Sequence, residues 1–128
     1  MRLYFVLVTL ALAVATVAGG ALTWDGSYYF FKTIENQTPF MPHDRLINEP
    51  LHWIPLLVNR LTADLAIVRL AFGLSHAAVP LLALAVSWWI VRERAPSLFV
   101  WPALGIGLGL LPGLINLIAE GLKVAEIF

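Results

Sequence analysis

The chain predicts an all-α integral membrane protein, with about three transmembrane helices and an extracytoplasmic loop carrying short interfacial helices. Three observations lead there. Leu3 to Leu22 contains no charged residue. Two further long apolar stretches follow, one ending near Val91 and one starting near Ser97. Charged residues make up 12% of the 128 positions and hydrophobic ones 60%, with a mean hydropathy of +0.84. A soluble domain carries about 25% charged residues, so this chain lacks the charge to coat a water-facing surface of its size.

The first span is predicted over residues 3–22. Twenty residues at the α-helical rise cover about 30 Å, the thickness of a bilayer core. Arg2 precedes the span, and Thr23, Trp24 and Asp25 close it with polar and interfacial groups. A secretory signal with a cleavage site at Ala18-Gly19-Gly20 is the competing reading. The apolar run is long for a signal core, so retention as a helix is expected.

Residues 23–62 form the predicted outer loop. It holds Asp25, Lys32, Glu35, Asp44, Arg45 and Glu49, with prolines at 39, 42 and 50. "SYYFFK" is expected to form a short helix lying on the membrane, and "TPFMPHDRLINEP" a proline-punctuated loop. In "LHWIPLLVNRL", Leu51, Ile54, Leu57, Val58 and Leu61 fall near one helical face, with His52, Asn59 and Arg60 off it. That pattern predicts an interfacial amphipathic helix.

The second span is predicted over about residues 65–91, tilted or kinked at Pro80. Trp88 and Trp89 supply its interfacial belt, and Arg92 and Arg94 stop it. "RERAP" turns the chain into a third span over about residues 97–119. There Gly105, Gly109 and Gly113 recur every fourth residue, a helical face that lets another backbone approach closely. The three spans make a single membrane domain, 1–128. Arg2, Arg92 and Arg94 sit on short flanks of one side, so the positive-inside rule predicts the N-terminus inside and loop 23–62 outside. The expected location is a bacterial inner membrane.

Several groups are candidates for chemistry. Asp25, with Gly26 behind it to turn the backbone, could act as a general base or hold a divalent metal; a solvated helix-end carboxylate is the plainer reading. Arg69 lies in an apolar run, where a mid-bilayer charge costs about 2.5–3.5 kcal/mol on insertion scales. It is expected to snorkel, to pair with Glu120, or to grip a lipid headgroup or phosphate. His76, seven residues on, is a candidate pigment or metal ligand or a hydrogen-bonded packing residue. His43 and His52, nine residues apart, make no metal pattern. With no cysteine, thiolate metal sites and disulfides are excluded. Eight basic residues balance eight acidic ones and no basic tract exists, so nucleic-acid binding has no electrostatic footprint. No metal is predicted outside the Asp25 reading; a bound lipid, quinone or pigment is the cofactor class that fits.

A membrane helix followed directly by "TWDGSYYFF" resembles the opening of the GT-C superfamily of membrane glycosyltransferases. In that family an acidic residue follows the first helix, and the loop then carries amphipathic helices much as "EPLHWIPLLVNRL" would. The resemblance implies that Asp25 is the catalytic carboxylate, activating an acceptor or helping to bind a metal, with a polyprenyl-phosphate-linked sugar as donor. It implies Arg69 as a phosphate contact by position alone. GT-C enzymes have many more than three spans, so the chain reads as the front portion of such a scaffold.

Two functions are therefore expected. The first is a small non-catalytic accessory subunit that docks onto a larger membrane complex of the photosynthetic or respiratory electron-transfer type, with lipids and other membrane subunits as partners. The second is a GT-C-like glycosyltransferase, or its N-terminal portion, with Asp25 catalytic.

Overall fold

A computed structural model describes residues 2–22, 25–40 and 49–109, and the described residues are helical with no strand among them. Helix α1 spans Arg2–Val17, a 3₁₀ turn Gly20–Leu22, α2 Asp25–Asn36, α3 Glu49–Leu61 and α4 Leu65–Val91. A second 3₁₀ turn, Pro96–Phe99, leads into α5 (100–109). Among these, α4 is the helix long and apolar enough to cross a membrane.

Helix α4 occupies the range expected from the sequence. Its start is fixed by Asp64, whose carboxylate accepts the Ala66 amide at 2.8 Å, satisfying one of the donors that a helix start leaves open. Proline at 80 interrupts none of its assigned length. The first apolar segment differs from expectation: α1 ends at Val17, five residues short of Leu22. Gly19 adopts a left-handed φ of 83°, which closes the helix there, and the Leu22 amide then turns back onto the Gly19 carbonyl. Sixteen helical residues cover about 24 Å.

Helices α1 and α4 run antiparallel. At one end Val8, Leu12, Leu84 and Phe99 form the buried core, with Tyr4, Phe5, Trp88 and Ile106 packed around them. Phe99 is the centre of this end: its ring stacks on Phe5 at 5.6 Å and meets Trp88 edge-on at 5.4 Å. The Tyr4 hydroxyl donates to the Ala103 carbonyl and so ties α1 to α5. At the other end α1 and α4 approach closely. A Cβ on Gly73 would lie 2.8 Å from Cγ2 of Thr16.

Helices α2 and α3 fold back over that end. Here α3 keeps the division of faces read from the sequence, and the fold buries the face opposite the apolar one. The apolar residues Ile54, Leu57 and Leu61 point outward, Leu61 being 79% exposed, while His52, Pro55 and Leu56 are the buried face. Hydropathy ranks the imidazole as polar, yet α4 meets the face that carries it. The reading of Gly26 is corrected. It lies within α2, and a Cβ there would sit 1.9 Å from the Ala21 carbonyl oxygen. Close approach of α2 to the preceding turn is what requires the glycine.

Gly26→Ala should therefore destabilise the chain by about 1–3 kcal/mol, the range for overpacking, because the obstructing atom is backbone. Gly105→Ala, where a Cβ meets nothing within 4 Å, carries no such penalty and should raise stability by up to about 1 kcal/mol, since a helix interior favours alanine over glycine. Thermal unfolding followed by circular dichroism in mild detergent distinguishes the two.

Candidate functional site

The densest polar arrangement centres on His52, where α2, α3 and α4 meet. The side chain is fully buried. Its Nδ1 accepts the Phe40 amide at 3.2 Å and stands 3.2 Å from the Thr33 hydroxyl, itself fully buried on α2. An amide can only donate, so Nδ1 carries the lone pair and the ring proton belongs on Nε2. That Nε2 is buried and has no hydrogen-bond partner among the described residues. Phe72 of α4 forms the floor, its ring 5.7 Å from His52, 5.3 Å from Phe30 of α2 and 4.3 Å from His76.

His76 sits one turn beyond Phe72, its ring 6.0 Å from that of His52. Its Nδ1 lies 2.9 Å from the Phe72 carbonyl, which also accepts the Ser75 hydroxyl at 2.8 Å. A carbonyl can only accept, so the His76 proton is on Nδ1 and Nε2 keeps the lone pair. Beside His76, between α1, α4 and α5, opens a crevice of about 440 Å³. Alanines 11, 15 and 77, with Gly73 and Ile106, form much of its wall.

The residues singled out from the sequence are distributed as follows. Asp25 is the first residue of α2, directly after the turn that leaves α1. Arg69 is exposed one turn into α4, and no hydrogen bond or ion pair joins it to another described residue. His76 is partly buried and, with Gly109, borders the crevice. A Cβ on Gly105 or Gly109 meets nothing within 4 Å, whereas one on Gly107, between them, would lie 3.5 Å from the Tyr4 hydroxyl. Gly113 and Glu120 lie outside the described residues, so the Arg69–Glu120 pair does too. No cluster of three or more metal-ligating side chains occurs among the described residues. The clasp at His52 was missed; its one sequence signal is the spacing of His52, Pro55 and Leu56, three and four residues apart on one face.

No protein-family model, curated protein or solved structure matches the chain.

Burial holds the His52 imidazole below its ordinary value of 6.5, and the neighbouring His76 ring adds to the effect. Of the groups facing it, Thr33 from α2 and Phe72 from α4 do not titrate; His76 does. The unfolded chain takes up a proton near pH 6.5 and the folded one resists it. Stability is thus fully present above pH 6.5 and falls as the pH drops through the lowered value. Protonation would also place an N–H on Nδ1 facing the Phe40 N–H. Protection of the α2 and α3 amides against exchange, taken relative to the intrinsic rate at each pH, should fall between pH 7 and pH 5, and His52→Leu should flatten that dependence. An unaltered pH profile in the variant would assign the loss to another group.

Proposed function

We propose that the chain is a membrane-embedded unit of the GT-C glycosyltransferase kind, with Asp25 as the carboxylate that activates the acceptor at the outer surface. One observation carries the reading: Asp25 opens an amphipathic helix a single short turn after α1, and a second amphipathic helix follows it. The arrangement resembles the GT-C entry segment, and here it is clasped onto α4 through His52. Membrane embedding is supported by the apolar side chains that α1, α4 and α5 leave uncovered, among them Leu3, Val14, Leu82, Trp89, Trp101 and Leu108. Patches of that extent on a water-facing monomer would mark a binding or membrane surface. In this reading α1, α4 and the helix beginning at residue 96 are three spans, with loop 23–62 outside.

The chemistry assigned to Asp25 is general-base catalysis. Its carboxylate takes the proton of an acceptor hydroxyl as that oxygen bonds to the sugar anomeric carbon. The bond from that carbon to the polyprenyl phosphate breaks, and the phosphate leaves with the electron pair. Gly26 holds the start of α2 against the Ala21 carbonyl, so the backbone that presents Asp25 has one depth relative to α1.

The accessory-subunit reading is favoured by a different observation. Gly105 and Gly109 lie uncovered on α5, a smooth strip onto which another helix could pack.

Tagged protein purified from its native membrane, with mass spectrometry of what co-migrates, decides between them. The glycosyltransferase reading expects polyprenyl-phosphate lipid and a sugar-transfer activity. Asp25→Asn should reduce that activity at least about 100-fold, the lower range of general-base contributions, with helical content unchanged. Equal transfer by the variant would overturn the role of Asp25. Stoichiometric recovery with an electron-transfer or light-harvesting assembly would establish the subunit reading instead.

A further inference from the structure

The crevice beside His76 differs from the usual gaps between helices in size, in lining and in polarity. Its 440 Å³ falls within the range of small-molecule sites. It exists because the two ends of the α1–α4 pair are held by other contacts. The Phe99 cluster spreads the helices at one end, and Thr16 meets Gly73 at the other. Between these, Ala11, Ala15 and Ala77 are too short to fill the gap. Interiors are otherwise packed to near-crystalline density.

Two polar features belong to its lining residue His76. The first is Nε2 of His76, the acceptor left when Nδ1–H is spent on the Phe72 carbonyl. The second is the His76 carbonyl. Its helical donor would be the amide of residue 80, and Pro80, which also lines the crevice, has no N–H. Both are acceptors, and Thr16 adds a hydroxyl. No Lys or Arg is among the described lining residues. A site so composed has few partners for a water cluster, attracts a hydrogen-bond donor and gives an anion no counter-charge.

We propose that this crevice binds the chain of a neutral, hydroxyl-ended amphiphile, with its O–H donated to the acceptors at His76. It discriminates against carboxylate- and phosphate-headed lipids. The phosphate-linked sugar donor of the preceding section is thereby assigned elsewhere, and the two proposals stand or fall separately.

The test uses the full chain, with ¹⁵N-labelled histidine, in phosphatidylcholine nanodiscs, whose lipids carry no hydroxyl. The probes are 1-dodecanol, dodecane, dodecanoate and dodecyl phosphate. The His76 Nε2 resonance should shift saturably with 1-dodecanol, with affinity about tenfold or more above that for dodecanoate, the size expected for burying an uncompensated charge. Dodecane should leave the resonance in place. Ala11→Phe, which fills the crevice from α1, should abolish the response to 1-dodecanol while the His52 resonances report an intact clasp. Absence of a saturable shift with 1-dodecanol in the unsubstituted chain overturns the proposal, and so does dodecyl phosphate binding as well as the alcohol. That readout does not depend on the variant folding.

Discussion

The interaction on which the described fold most depends is the acceptance of the Phe40 amide by a buried imidazole. The segment between α1 and α4 is rich in proline and aromatic residues and has a modest apolar face of its own. What fixes it is His52, held between Thr33 of α2, the backbone at Phe40 and the Phe72 ring of α4. A buried nitrogen of defined protonation accepts in one direction only. The outer helices therefore have one register against α4, whereas apolar contact alone would admit several. Nε2 has no partner among the described residues, and an unmade buried hydrogen bond costs about 1–3 kcal/mol.

Periodicity and composition made the long elements legible. α4 was readable as a span of about residues 65–91 because a charge-poor run ends at the paired Trp88-Trp89 and Arg92, and the Asp64 cap fixes its start in the structure. α2 was readable from "SYYFFK", although its start at Asp25 was not. The end of α1 was misread. Apolar count continues to Leu22, but Gly19 can adopt a left-handed backbone that the count does not register.

The candidate sites were less legible for a physical reason. A hydropathy pattern identifies which face of α3 is apolar, not which neighbour it meets. In α3 the two separate: Leu57 and Leu61 face outward, and the imidazole of His52 faces the protein. The glycines show the same limit. Fourfold spacing marked Gly105 and Gly109, which touch nothing described, while isolated Gly26 and Gly73 are the ones in close contact. The subunit expectation rested on chain length. The glycosyltransferase expectation rests on the local order of a helix, a turn and an acid-led amphipathic helix.

The Tyr4–Ala103 hydrogen bond joins residues 99 positions apart, and that separation acts during synthesis. Ribosomes add about 5–20 residues per second, so the tyrosine waits about 5–20 s for its carbonyl. In that interval α1 can pair with α4 at Thr16 and Gly73 as soon as α4 emerges. The aromatic end must stay unsealed until α5 arrives. The bundle is therefore zipped from its clasped end, and its last closure is made by its first helix.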